Sequence, residues 1–212
     1  MNQIILEGIT GSGKSSNVDF IRNYLEGRDI SVAVADCTMP VFENSINLRR
    51  TLRDYGNPLL AQLFLRQHSN YIKILEAGDA DITLIDRHVL SNLVYTLART
   101  EIEGTTVDVS KMRDAILRPF GLNPLEDSVV LYFDVEPQVA RQRTLTREQK
   151  AIEGNVRNEF NLRFQSLAAK HYEQELPFLS CPVYSFDANK SIPVLESELS
   201  SVLEKLFEKY QN

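Results

Sequence analysis

Hydrophobic positions along the chain follow two rhythms. Short apolar runs rich in valine or isoleucine fall at 3–7, 31–36, 82–86, 129–135 and 182–187, and such runs read as strands buried on both faces of a parallel sheet. Between them, apolar residues recur three and four apart, the period of a helix with one buried face. Val18, Ile21 and Leu25 form one such stripe, and Leu90, Leu93, Val94 and Leu97 another. A long helix is expected after Pro58, with Leu60, Leu63, Phe64, Tyr71, Ile74 and Leu75 inward. Shorter or weaker helical patterns fall at 43–55 and 108–118, and a further helix begins at Pro137. One more helix is expected over 156–175, with Val156, Phe160, Phe164 and Leu167 inward. The last carries Val194, Leu195, Leu199, Val202, Leu203 and Leu206. Strand and helix alternate throughout, which predicts βαβ units and an α/β fold of three layers, helices on both faces of a five-stranded parallel sheet. No repeat, low-complexity tract or Pro/Gly linker divides residues 1–212, so a single domain is expected.

The first strand–helix connection carries the clearest chemistry. Gly8-Ile9-Thr10-Gly11-Ser12-Gly13-Lys14-Ser15 fits G-x-x-x-x-G-K-[ST], with a strand before it and a helix after it. Glycines let such a loop curl until backbone N–H groups converge on a phosphate. The helix that follows adds its positive dipole end. Lys14 supplies a mobile charge for β- and γ-phosphates, and the Ser15 hydroxyl is placed to ligate Mg²⁺. Asp86 ends the third strand, where the second Mg²⁺ contact is expected, made directly or through a water. Arg87 then stands at the rim of the cleft.

Other candidates follow from the rule that ligands bind at the carboxyl ends of parallel strands. Asp36 ends the second strand and serves either as a site carboxylate or as a helix cap. Arg49, Arg50 and Arg53 are either a solvated face or the source of a fork for an acceptor phosphate. His88, Asn92, Tyr95 and Arg99 share the polar face of one helix, and its start beside Asp86 favours a nucleoside-reading role over plain solvation. Arg143 and Arg147 are four apart and point the same way. They belong to a charged stretch, 141–157, expected to form a helical lid whose basic residues close over a transferring phosphoryl group and exclude water. Asp187 follows the last strand, where topology alone places the adenine pocket.

Bulk properties narrow the classes. The 212 residues are 43% apolar and 25% charged, ordinary for a globular protein, and the net charge is −6. No basic face for a nucleic-acid polymer is visible. Cys37 and Cys181 are far apart, with no zinc spacing or disulfide framework, as suits idle thiols in a reducing compartment. The chain opens directly on a strand, and no apolar run approaches the ~18 residues of a membrane span. A cytoplasmic protein without a membrane partner is expected.

With these pieces placed, the chain resembles the thymidylate kinase family of nucleoside monophosphate kinases over most of its length. Glu7-Gly8-Ile9-Thr10-Gly11-Ser12-Gly13-Lys14-Ser15-Ser16 resembles the family's E-G-x-[DE]-x-x-G-K-[ST]-[ST] opening. Asp86-Arg87-His88 with Ser91-Asn92 and Tyr95 to Arg99 resembles its D-R-Y-x-x-S-N-x-x-Y-x-x-A-R segment, the specific part of the match. Leu131 to Val135 with Pro137, Val139 and Ala140, then Glu159-Phe160 with Arg163 and Phe186-Asp187-Ala188, resemble later landmarks. The resemblance implies a phosphate-loop kinase fold, MgATP as donor, a deoxynucleoside monophosphate as acceptor and a homodimer. It implies that Arg87 holds the acceptor phosphate, that Asn92 and Tyr95 lie along the nucleoside, and that the Tyr95 ring disfavours a ribose 2′-hydroxyl. Gly11 and Ser12 are not arginine, so Arg143 or Arg147 becomes the lid arginine for the transferred group. Ser16 joins the donor-binding residues.

Three departures accompany the match. Thr10 stands where the family usually has an acid. Thr38-Met39-Pro40 replaces the R-E-P-G-G loop. The aromatic–arginine pair four apart that reads thymine is not reproduced: Phe64 is followed at that spacing by His68, and Arg66 pairs with Gln62. Phe64, Arg66, Asp36 and Arg50 are the remaining acceptor-side candidates. These departures touch sugar and base rather than the triphosphate, so phosphoryl transfer is better supported than thymidylate as the substrate. The rival readings are a deoxynucleoside or other small-molecule kinase using Asp36 as base, and an ATP-binding regulator without catalysis. No N-K-x-D stretch for a GTPase and no nucleophile elbow for a hydrolase is present.

Overall fold

A computed structural model describes residues 2–36, 73–74, 78, 80–117, 125, 127–148 and 161–208. In chain order the elements are β1 (Gln3–Glu7), α1 (Lys14–Glu26), β2 (Val32–Asp36), β3 (Ile82–Asp86), α2 (Val89–Glu103), α3 (Val109–Leu117), β4 (Ser128–Asp134), α4 (Pro137–Glu148), α5 (Leu162–Glu175), β5 (Val183–Asp187) and α6 (Ile192–Glu208). A single 3₁₀ turn, Leu176–Phe178, links α5 to β5. All five expected strands are present, with ends moved by one residue at β2, β4 and β5. The expected helices over 43–55 and after Pro58 lie outside the described residues, except for Lys73 and Ile74.

The strands pair in parallel in the order β2-β3-β1-β4-β5. β1 is therefore central, and its carboxyl end is the point where successive connections depart to opposite sides of the sheet, which is where such sheets bind ligands. The register brings the polar strand ends to one rim. Asp86 is paired with Leu6 on one side and with Asp36 on the other, Glu7 with Tyr132, and Asp134 with Asp187.

Side chains alternate across each strand, so the apolar runs feed two cores. Ile4, Leu6, Leu84, Val129 and Leu131 pack in one cluster with Ile21 and Leu25 of α1 and Leu195, Leu199 and Leu203 of α6. Ile5, Ile85 and Val130 pack in the other with Val89, Leu93 and Leu97 of α2 and Met112 of α3. A sheet buried on both faces is what the unbroken apolar strands require.

Two helices depart from the expected patterns. α5 begins at Leu162, because Asn161 is extended and its side chain accepts the Arg163 N–H at 2.9 Å, capping the helix there; residues 156–160 of the expected helix lie outside the described residues. In α6 the buried stripe is Leu195, Leu199, Leu203 and Leu206, while Val194 is 46% exposed, since neighbours in a helix point about 100° apart. α3 is fastened to α5 by Arg113, which donates to both oxygens of buried Glu175 at 2.5 and 2.9 Å and lies 3.6 Å over the Phe178 ring. Residues 141–148 of the expected lid continue α4, and 149–157 lie outside the described residues.

Candidate active site

Residues 8–15 turn the chain from β1 into α1. Gly8 has φ +143°, and a Cβ there would sit 2.6 Å from the Phe133 carbonyl. Gly11 has φ +89°, and a Cβ there would collide with the Ala140 carbonyl of α4 and lie 2.6 Å from Thr144 Oγ1. Only glycine permits both the backbone and the approach of neighbouring chain. Gly13, also at positive φ, is the residue before α1. Buried Lys14 directs its ammonium into this loop, donating to the carbonyls of Gly8 at 2.7 Å and Ile9 at 2.8 Å and to Ser12 Oγ at 3.0 Å. The exposed Ser16 hydroxyl follows in the first turn of α1.

Ser15 Oγ donates to Asp86 Oδ2 at 2.6 Å, joining the start of α1 to the end of β3. Asp86 is buried, and its Oδ1 has no partner among the described residues. A small hard cation takes oxygen ligands and completes its shell with water and substrate phosphates. A hydroxyl, a carboxylate and an unspent carboxylate oxygen are such a donor set, so these residues fit Mg²⁺. Among the described residues no group of three or more His, Cys, Asp or Glu could hold a metal by itself.

Arg87 faces the loop from the other side. Its backbone is left-handed, φ +71°, and its N–H donates to the Leu6 carbonyl at 3.1 Å. The guanidinium donates through Nη2 to Thr10 Oγ1 at 2.9 Å and through Nη1 to Tyr95 OH at 3.0 Å and the Gly8 carbonyl at 3.3 Å. It lies 5.0 Å over the Tyr95 ring. Tyr95 OH also accepts the Thr10 N–H at 2.9 Å. Burial opposes the guanidinium charge, but the Tyr95 and Tyr172 hydroxyls and Asp86 outweigh it, and Arg87 remains cationic. Among the described residues no carboxylate forms an ion pair with it.

The polar face of α2 is not a solvated one. His88 and Asn92 are buried, and His88 Nδ1, Asn92 Nδ2 and Arg99 Nε have no hydrogen-bond partner among the described residues. Burial pushes the His88 imidazole down to about 4, so it is neutral near pH 7. On the far side, Arg143 Nη1 donates to the Ala188 carbonyl at 2.9 Å, bridging α4 to the loop after β5. Asp187 closes β5 exposed, and its carboxylate accepts the Asn189 N–H at 3.0 Å and Nδ2 at 2.9 Å, bonds that hold its carboxyl below the usual range. Asp36 ends β2 beside Asp86, and its carbonyl accepts from Lys73 Nζ at 2.5 Å. Arg50, Phe64 and Arg66 lie outside the described residues, as does the Arg147 side chain. The Cys181 thiol is pushed up to about 11 by burial, consistent with an idle role.

Sequence reasoning assigned no role to Glu7. It is fully buried and accepts four hydrogen bonds, from His88 at the cap of α2, from Ser91 of α2 twice and from Tyr172 of α5. The available signal was an acid closing an apolar strand, the same one that marks Asp86.

A central strand that ends in a lysine-bearing glycine loop, with a serine–aspartate pair beside it and a cationic arm opposite, is the layout of a phosphate-loop nucleotide kinase. The family model described as thymidylate kinase matches residues 6–199, and the chain belongs to that family. The thymidylate kinase of Francisella tularensis subsp. holarctica (strain FTNF002-00 / FTA) is 25% identical over 217 residues, covering 99% of this chain and 98% of its own. That of Francisella philomiragia subsp. philomiragia is 23% identical over 218 residues, covering 96% and 98%. Among solved structures, deoxyadenosine kinase from M. mycoides with bound dATP shares the fold, with a TM-score of 0.65 and 15% identity over 96% of this chain and all, 100%, of that one. The same enzyme with bound dCTP gives a TM-score of 0.58 at 16% identity, covering 96% of this chain and 99% of that one. Among the described residues no helix is long and apolar enough to cross a membrane.

Proposed function

We propose that the chain transfers the γ-phosphoryl group of ATP to a deoxynucleoside monophosphate, thymidine monophosphate first among them, giving the diphosphate and ADP. What supports this reading above all is the contact between Arg87 and the phosphate loop. An arginine with no carboxylate partner among the described residues stands 2.9 Å from Thr10 Oγ1 and 3.3 Å from the Gly8 carbonyl. An acceptor phosphate held by that fork lies against the loop that would hold the donor's phosphates. A dianionic acceptor suits a guanidinium that has no ion-pair partner among the described residues better than a neutral nucleoside does.

The chemistry needs positioning and charge stabilisation more than covalent help. An acceptor oxygen attacks the γ-phosphorus in line while the bond to the bridging oxygen of ADP breaks. The acceptor phosphate is already ionised, so no strong general base is needed. Lys14, the Ser12 hydroxyl beside it and the backbone N–H groups of Gly11, Gly13, Ser15 and Ser16 cradle the donor. Mg²⁺, held by Ser15 with Asp86 close by, would supply neutralisation of the donor's charge. Arg87 fixes the acceptor, and Arg143 or Arg147 closes from α4 on the transferred group. Asn92 and Tyr95 lie along the nucleoside, with Phe64, Arg66, Arg50 and Asp36 completing that side. Asp187 borders the adenine. A cytoplasmic homodimer is the assembly this family membership favours.

A second reading has one observation in its favour. Asp36 is in register with Asp86 at the same rim, where a carboxylate base for a nucleoside hydroxyl would stand. A screen of purified protein with ATP, Mg²⁺, nucleoside monophosphates and their parent nucleosides separates the two. Mass-identified diphosphate is the expected product. Monophosphate formed from a nucleoside, with loss in Asp36→Asn, would replace the first reading with the second.

A further inference from the structure

We propose that Glu7 is a positioning residue: its buried carboxylate clamps the start of α2 and so aims the Arg87 guanidinium at the phosphate loop. The inference rests on the acceptor role given to Arg87 above.

Glu7 closes β1 immediately before Gly8 and is 0% exposed. Its Oε1 accepts the backbone N–H groups of His88 at 2.9 Å and Ser91 at 3.2 Å. Its Oε2 accepts the Tyr172 hydroxyl at 2.8 Å and the Ser91 hydroxyl. Ser91 Oγ and Tyr172 OH are themselves 2.7 Å apart. A buried carboxylate is costly unless its lone pairs are met, and four donors meet them here. Among the described residues none of the ion pairs involves Glu7. Two N–H groups at the positive end of α2 take the place of a cation. Burial first, and the Glu7 charge second, hold the Tyr172 hydroxyl well above its ordinary range, so it stays protonated and donates.

The consequence falls on Arg87. Its own N–H is tied to the Leu6 carbonyl at 3.1 Å, and the next N–H, of His88, is tied to Glu7. Both peptide groups flanking Arg87 are thus fixed to consecutive residues of β1. The residue between them is left at φ +71°, a conformation that a non-glycine residue keeps only when its surroundings over-determine it. That backbone carries the guanidinium to Thr10 and Gly8. Tyr172 adds a tie from α5, and its hydroxyl also lies 3.3 Å from the Gly8 carbonyl. A neutral amide at position 7 would keep one acceptor and turn an N–H₂ group toward two of the four donors, releasing the clamp without changing its volume.

The test uses Glu7→Gln and Tyr172→Phe in the full chain, with ATP and thymidine monophosphate affinities measured separately by calorimetry. A charge-assisted hydrogen bond lost to misalignment costs about tenfold or more in affinity. Glu7→Gln is therefore expected to weaken thymidine monophosphate by about tenfold or more while ATP affinity stays within about twofold. Tyr172→Phe, which removes one donor of the four, should move in the same direction by less. A cap with a merely structural role would lower the melting temperature and leave the ratio of the two affinities unchanged; that result overturns the clamp. Should Glu7→Gln fail to fold, Tyr172→Phe decides by the same ratio. A wild-type chain that binds ATP but not thymidine monophosphate overturns the proposed acceptor and the clamp with it. A wild type that binds both, with variants that weaken both equally or neither, overturns the clamp alone.

Discussion

The Arg87 guanidinium donates to the Thr10 hydroxyl at 2.9 Å, so the arm assigned to the acceptor and the loop assigned to the donor are in direct contact. Tyr95 closes the triangle, accepting from the Arg87 guanidinium at 3.0 Å and from the Thr10 N–H at 2.9 Å. Thr10 stands where the family pattern usually has an acid. A hydroxyl there holds Arg87 in place without neutralising it. The charge remains available to an anion, and this is the electrostatic reason to favour a phosphate-bearing acceptor.

Arg87→Lys tests the fork. Lysine keeps one charge but cannot reach Thr10, Tyr95 and Gly8 from a planar group. Losing a charge-assisted bond costs roughly 1.5–3 kcal/mol, so the acceptor KM should rise about ten- to a hundredfold with the ATP KM little changed. Steady-state kinetics with each substrate varied in turn gives the answer. An equal rise in both would place Arg87 on the donor side.

Lys14→Ala should remove turnover almost entirely. One preorganised donor aimed at developing charge is worth about a hundred- to a thousandfold in kcat. Lys14 also donates to Gly8, Ile9 and Ser12, so the variant loop should lose order, and hydrogen exchange at the Gly8–Lys14 amides should speed up. Retained activity within tenfold of wild type would show that this loop does not hold the donor.

The sheet was legible because its signal is local. Each strand is a short Val/Ile-rich run, and all five lie within a residue of where that composition places them. Ser15, Asp86 and Lys14 were legible because their spacing is fixed by one loop and one strand end. The rest depends on contacts between distant parts of the chain. Glu7 reads as one letter of a motif until α2 and α5 fold against it. Thr10 and Tyr95 are 85 positions apart, and nothing in either neighbourhood announces the bond. The bond of Arg143 to the Ala188 carbonyl was not legible, since it depends on how α4 lies beside β5. The start of α5 was missed because one side chain, Asn161, competes with a helical pattern that runs on through it in sequence.

Gly11→Ala probes the fit between the loop and α4. The new Cβ would meet the Ala140 carbonyl and lie 2.6 Å from Thr144 Oγ1, at φ +89°. Backbone strain alone costs roughly 1–3 kcal/mol, and at this chain size that corresponds to a fall of about 2–12 °C in melting temperature. Because Gly11 belongs to the loop assigned to the donor's phosphates, the ATP affinity should fall as well. A thermal shift series with and without ATP reads both. An unchanged melting temperature would mean that α4 does not press on the loop.

Asp86→Asn separates the cation's role from the fold's. The carboxylate accepts from Ser15 Oγ at 2.6 Å, and an amide oxygen can still accept that bond, so the local structure should survive. The amide lacks the charge, however, and one of its two positions becomes an N–H₂ donor, which repels a cation. Asp86 Oδ1 has no partner among the described residues, so the change there breaks no described bond. The expected result is a melting temperature near that of wild type in metal-free buffer, with the Mg²⁺ concentration for half-maximal rate raised about tenfold or more, since a charge-assisted contact is lost. Ser15→Ala should shift the same requirement by less, because a neutral hydroxyl is the weaker ligand. A Mg²⁺ requirement unaltered in both variants would remove these residues from the metal site and leave their hydrogen bond as a tie between α1 and β3.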